Sequence, residues 1–124
     1  MRIDFWDSAM RERTPSKLRV VEDLVSQNFA GSAELAGQIE GLRVASIDSN
    51  GSLRLAVSGG PPAQVRFRVP VEAEYDDRDG VVVHVLVHVV NGYLDELEVY
   101  REDGGRVVIP VVDHQDWRID CVSR

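Results

Sequence analysis

Lysine is almost missing from this chain: of fourteen basic residues, all but Lys17 are arginine. Cysteine is nearly absent too. Cys121 stands alone, which excludes an internal disulfide and leaves no cysteine-based sign of an oxidising compartment. No apolar run is long enough to span a bilayer. The longest, Val81 to Val90, is broken by His84 and His88 and reaches about half of the ~20 residues required. The opening residues Met1 to Asp7 lack the apolar core of a secretion signal. A pI near 4.9 argues against nucleic acid, whose binding draws on clustered Lys and Arg, and Arg66 and Arg68 are the only close basic pair on an expected strand. These absences predict a cytoplasmic protein with no membrane segment and no nucleic-acid partner. The preference for Arg, Val, Ala and Gly fits a GC-rich bacterial genome. Asn50-Gly51-Ser52 matches a glycosylation sequon, but in a cytoplasmic chain it reads as a turn.

What the chain has in excess is acid, and the excess is local. Residues 71–103 hold ten acidic side chains against Arg78 and Arg101, a net charge of -8 in a chain whose total is -7. At 124 residues the chain is expected to be a single domain, large enough to bury roughly two-thirds of its unfolded surface. Its parts are an arm over residues 1–13 (with Ile3, Phe5 and Trp6), a helical region 14–41, a sheet over 42–104 and a tail over 105–124.

Thr14 as N-cap, Pro15 at the first helical position and Leu18, Val21, Leu24 and Val25 at helical spacing predict a helix ending near Asn28 or Phe29. A second, short helix is expected from a Ser32 cap through Leu35, Ala36 and Ile39, weakened by Gly37 and stopped by Gly41. From Leu42 the period becomes two. The expected strands are Leu42 to Asp48, Ser52 to Ser58, Gln64 to Tyr75, Val81 to Val90 and Tyr93 to Arg101. Val107 to Val112 and Trp117 to Val122 are candidate edge strands.

Three hairpin turns carry Gly after Asn or Asp: Asn50-Gly51, Asp79-Gly80 and Asn91-Gly92. Register decides which side chains are buried. At the last turn a plain two-residue loop pairs Val87 with Glu96, forcing carboxylates among valines at a cost of several kcal/mol. A three-residue bulged loop pairs Val89 with Tyr93, Val87 with Asp95, Val85 with Leu97 and Val83 with Val99. The same loop pairs Tyr75 with Val83 and Ala73 with Val85 at the middle turn, and Ile47 with Leu53 and Ala45 with Leu55 at the first. The predicted fold is α+β: one or two N-terminal helices packed on one face of an antiparallel meander of about five strands.

That register lines Glu74, His84 and Glu98 across the opposite face, with Glu72, Leu86 and Glu96 beside them and Pro70, His88 and Leu94 beyond. A Glu-His-Glu row can hold a divalent metal or make His84 a titrating group, but salt-bridged polar residues on a half-exposed sheet are the commoner outcome. His88 lies about 13 Å along the strand from His84 at ~3.3 Å per residue, too far to share an ion. Asp95 falls on the core side, where bonding loop amides at the rim is favoured over an acid role in catalysis. Asp76-Asp77-Arg78-Asp79-Gly80 has calcium-loop composition, yet Tyr75 and Leu86 stand where an EF-hand loop opens and closes. His114 and Cys121 form no recognisable base and nucleophile. No phosphate-cradling glycine loop, nucleophile elbow or zinc spacing occurs, so no cofactor and no resident metal is expected.

The run Val69-Pro70-Val71-Glu72-Ala73-Glu74-Tyr75, then Asp79-Gly80-Val81, Val83-His84-Val85-Leu86-Val87-His88-Val89 and Gly92-Tyr93-Leu94-Asp95-Glu96-Leu97-Glu98-Val99-Tyr100-Arg101-Glu102-Asp103-Gly104 resembles a small bacterial domain family of unknown function. The resemblance implies a compact stand-alone bacterial domain and transfers no catalytic or binding residue. By analogy, small acidic proteins of this look include immunity proteins that neutralise toxins. The functional expectation is a non-catalytic protein-binding module using Glu72, Glu74, His84, Glu96 and Glu98 to dock a basic partner such as a toxin. The alternative is a metal- or small-ligand-binding protein or hydrolytic enzyme using Glu74, His84 and Glu98. The oligomeric state is left open, with an exposed edge strand as one route to a homodimer.

Overall fold

The computed structural model describes residues 15–112 and 116–121. The arm over 1–13, the Thr14 cap, His114 and Val122 lie outside the described residues. Helix α1 (Pro15–Val25) and helix α2 (Ser32–Gln38) are followed by a 3-10 turn (Ile39–Gly41) and six strands: β1 (Leu42–Ser46), β2 (Leu53–Val57), β3 (Val71–Asp76), β4 (Val82–Val90), β5 (Tyr93–Arg101) and β6 (Arg118–Cys121). The fold is α+β, as the change of period predicts. No described helix is long and apolar enough to cross a membrane. Helix α1 stops at Val25, short of the expected end near Asn28 or Phe29, and residues 26–30 turn the chain toward α2. The cap of α2 is Gly31, at φ 91° and without a side-chain capping bond, rather than Ser32.

All three expected hairpins form, but the sheet is not a simple meander. Its order is β1-β2-β5-β4-β3-β6, fully antiparallel. The 58–70 connection is too long for a hairpin loop. It carries the chain past two strands, so β5 rather than β3 pairs with β2 in a Greek-key arrangement. The strand expected from Gln64 starts only at Val71, because Pro70 has no N–H for a ladder and the chain bends at Arg66, Phe67 and Arg68. Of the two candidate tail strands one exists, as β6; Val107 to Val112 runs as irregular chain.

The middle hairpin has the expected register, Val71↔Val87, Ala73↔Val85 and Tyr75↔Val83, around a loop with Gly80 at φ 86°. The first hairpin is one residue off: Val44 faces Leu55 and Leu42 faces Val57. The expected offset would have turned Arg43 inward opposite Val57. A four-residue loop avoids this, with Asp48 Oδ1 accepting from the amides of Asn50 (2.9 Å) and Ser52 (3.1 Å). Ile47 is consequently left 45% exposed.

The last hairpin differs most. Asn91 (φ 53°) and Gly92 (φ 86°) form a two-residue turn rather than the expected three-residue bulged loop, and Val90 faces Tyr93. Carboxylates still stay out of the core because a β-bulge follows. Val89 faces Leu94 and His88 faces Glu96, leaving Asp95 as the extra residue. The bulge reverses the alternation, so Leu94 (2% exposed), Leu97 and Val99 point inward and Glu96 and Glu98 outward.

The inward residues join Val20, Val21, Leu24, Val25, Phe29 and Leu35 from the helical region in one core. At its edge sits Gln38, 3% exposed. Its Nε2 donates to the carbonyls of Gly92 (2.9 Å) and Pro61 (3.3 Å), and its Oε1 accepts from the Leu94 amide (3.0 Å). This amide ties the end of α2 to the β4–β5 turn and to the crossing connection. Gln38→Leu strands the Leu94 N–H without its acceptor, and urea denaturation is expected to show a loss of about 2 kcal/mol.

Candidate functional site

The helices cover one sheet face, and the other carries the charged residues. Glu72, Glu74, His84, Glu96 and Glu98 all project from that outer face and all are partly exposed. Their neighbours differ from the expected row, because the two-residue turn and the one-residue bulge at Asp95 together displace β5 by two residues from its expected register against β4. His84 faces Glu74 on one side and Tyr100 on the other, while Glu98 faces Leu86. The Glu74-His84-Glu98 row therefore does not assemble. His84 Nε2 lies 3.0 Å from Glu102 Oε1, its Nδ1 lies 3.8 Å from Glu74 Oε2, and its ring stacks on Tyr100 with centroids 4.9 Å apart.

Glu98 belongs instead to His88, Oε1 to Nε2 at 2.8 Å. Arg68 Nε donates to His88 Nδ1 at 3.0 Å, which assigns the ring proton to Nε2 and makes it the donor to Glu98. Asp95, expected on the core side, sits in the bulge with its side chain 35% exposed and 3.9 Å from Arg68 Nη2. Glu74 is also held by Arg118 of β6, Nε to Oε1 at 3.0 Å, and Arg118 Nη2 reaches Asp76 at 3.1 Å. Glu72 lies opposite Asp120 and Glu96 opposite Arg54. A shallow pocket of about 270 Å³ opens where Glu72, Glu74, His84, Arg118 and Asp120 meet. Among the described residues no group of three or more His, Cys, Asp or Glu side chains is arranged to hold a metal ion.

A second cluster, absent from the sequence-based expectations, lies at the far rim of the sheet. Arg101, 7% exposed, turns to the core side at the end of β5 and meets three aspartates. It reaches Asp77 through Nη1 (2.9 Å). It forks onto Asp79 through Nη1 and Nη2 (3.1 and 3.0 Å) and onto Asp103 through Nε and Nη2 (3.0 and 2.7 Å). The Asp77 carboxylate is wholly buried. It accepts the amides of Arg78, Val108 and Ile109 as well as Arg101. Burial pushes the Asp77 carboxyl upward, and those amides together with Arg101 overcome it, holding it far below the usual carboxylate range. Arg101, aided by the Gly105 amide, lowers Asp103 to about 2. Tyr75 donates to the Ile109 carbonyl at 2.6 Å, and burial, reinforced by the Asp77 charge, pushes it up to about 12.

The cluster pins the β3–β4 turn, the end of β5 and the 107–109 segment together. The loop-amide role expected of Asp95 thus belongs to Asp77. The one available sequence signal was Arg101 continuing the inward alternation of Leu97 and Val99. An apolar cleft of about 270 Å³ beside it, lined by Val20, Leu53, Leu97, Val107, Pro110 and Val111 among others, has no ionisable side chain in its walls.

Comparison with curated proteins and with solved structures gave no match. The model of one family, described as a domain of unknown function (DUF6984), matches residues 10–110, most of the chain, and this protein belongs to that family.

Proposed function

We propose that the chain is a non-catalytic protein-binding module whose helix-free sheet face docks a basic partner; the concrete version is an immunity protein that covers the cationic cleft of a nuclease-type toxin. One observation carries this reading. Glu72 and Glu96 project from the open face without an ion-pair partner among the described residues, while the ring nitrogens of His84 and His88 are already engaged with neighbouring side chains. A face of this kind attracts a cationic surface over a distance and accelerates encounter. It also loses little on docking, because these carboxylates need not abandon an existing bond.

Purified products of the neighbouring genes, titrated against the immobilised protein at low and high salt, test the reading. For the true partner the association rate is expected to fall at least tenfold between about 0.05 and 0.5 M salt, and about as much in a Glu72→Lys, Glu96→Gln variant. Rates indifferent to both changes, or no binding by any of these products, would overturn it.

A further inference from the structure

We infer that β6 is a self-complementary edge through which two copies of this chain join their sheets. β6 stands at the end of the strand order and pairs with β3 alone among the described strands. An open strand edge presents unpaired N–H and C=O groups and is a template for another strand.

The order of residues in β6 selects a second copy as the occupant. Antiparallel pairing about a two-fold axis through Ile119 sets Ile119 against the partner's Ile119, Arg118 against the partner's Asp120, and Asp120 against the partner's Arg118. Opposite charges thus meet twice, as an isologous interface requires. A slip of one residue sets Arg118 or Asp120 against the partner's Ile119 or Cys121. A slip of two sets like charges against each other.

Two features of the single chain favour this pairing. Asp120 sits directly across from Glu72, a like-charge contact, and neither has an ion-pair partner among the described residues; the partner's Arg118 supplies a counter-charge on the open side. Arg118 bonds Glu74 and Asp76 through Nε and Nη2 and is still 53% exposed, and its Nη1 has no partner among the described residues. On the helix side, Trp117, Ile119 and Cys121 are only partly buried at the margin of the core and gain cover from the second copy. A four-residue edge buries little area, so association is expected only in the upper micromolar range. Joined edge to edge, the two acidic faces lie side by side rather than stacked, which lessens their mutual repulsion.

Sedimentation velocity over rising concentration is expected to show the wild-type mass approaching twice that of one chain. Asp120→Arg and Arg118→Asp each place like charges across the axis and are expected to weaken self-association at least tenfold. An equimolar mixture of the two variants restores both opposite-charge pairs and is expected to form the heterodimer. A monomeric wild type, self-association retained by either variant, or a mixture that stays monomeric overturns the inference. Should a charge variant fold poorly by circular dichroism, Ile119→Cys in a Cys121→Ser background decides: mild oxidation is expected to yield a reducible dimer, since directly opposed Cβ atoms lie about 5 Å apart. Absence of that product counts against the pairing.

Discussion

Arg101→Leu is expected to lower the thermal midpoint by about 15 °C, among the largest effects of any single side-chain change in this chain. The guanidinium is nearly buried and serves Asp77, Asp79 and Asp103 at once. Among the described residues, its loss leaves the wholly buried Asp77 with backbone amides as its only donors and sets three carboxylates close together without a counter-charge. Differential scanning calorimetry of the two proteins at neutral pH checks this. Acid provides an independent readout. The folded-state values of Asp77, Asp79 and Asp103 are all depressed. Their contribution is therefore complete above the unfolded-state range near 4 and is lost as pH falls through the folded values, about 2 for Asp103 and lower for Asp77. Wild-type stability should fall steeply between pH 4 and pH 2. In Arg101→Leu the same window should be flatter, because the carboxylates no longer hold a partner that protonation removes. Equal slopes in the two proteins would contradict the assignment.

Gly92→Ala is expected to cost about 3 kcal/mol, combining left-handed backbone strain with overpacking. At φ 86° the position already disfavours a side chain, and a Cβ there would lie 2.6 Å from Pro62 Cβ and 2.9 Å from the Ala63 carbonyl oxygen. The Gly92 carbonyl accepts from the Ala63 amide at 2.8 Å and from Gln38. Any shift that relieves the clash therefore disturbs the contact between turn and crossing connection. Gly80→Ala is the natural control: it shares φ 86° but has open space around it. Its cost should be only the backbone part, about 1 kcal/mol. Urea denaturation of both variants separates the two contributions.

These positions show where local reading succeeds. The helical spacing of Val21, Leu24 and Val25, the Gly41 stop and the Asp79-Gly80 turn are each decided within a few residues, and each appears where periodicity and turn chemistry place it. The middle hairpin is correct for the same reason: Tyr75, Ala73 and Val71 can meet Val83, Val85 and Val87 only in a register that keeps Glu72 and Glu74 outside. The candidate site was legible in kind but not in arrangement. Glu72, Glu74, His84, Glu96 and Glu98 do share the open face, yet which glutamate serves which histidine depends on the tight Asn91-Gly92 turn and the bulged Asp95, which add up to two residues of offset that binary alternation does not register. Glu102 on His84 and Arg68 on His88 follow from that offset and from the bend at residues 66–68.

Taken alone, then, the chain determined its class, the location of its helices, which strands join in its three hairpins, the register of the middle one and the side of the sheet that would be acidic, because these depend on hydrophobic period and turn preference over short spans. Tertiary structure decided that β5 rather than β3 lies beside β2, that Arg101 is buried among aspartates, and that Gln38 closes the gap at the β4–β5 turn. Each of those outcomes joins groups twenty to sixty residues apart, and its free energy comes from satisfying buried polar atoms that meet only once the layers have packed.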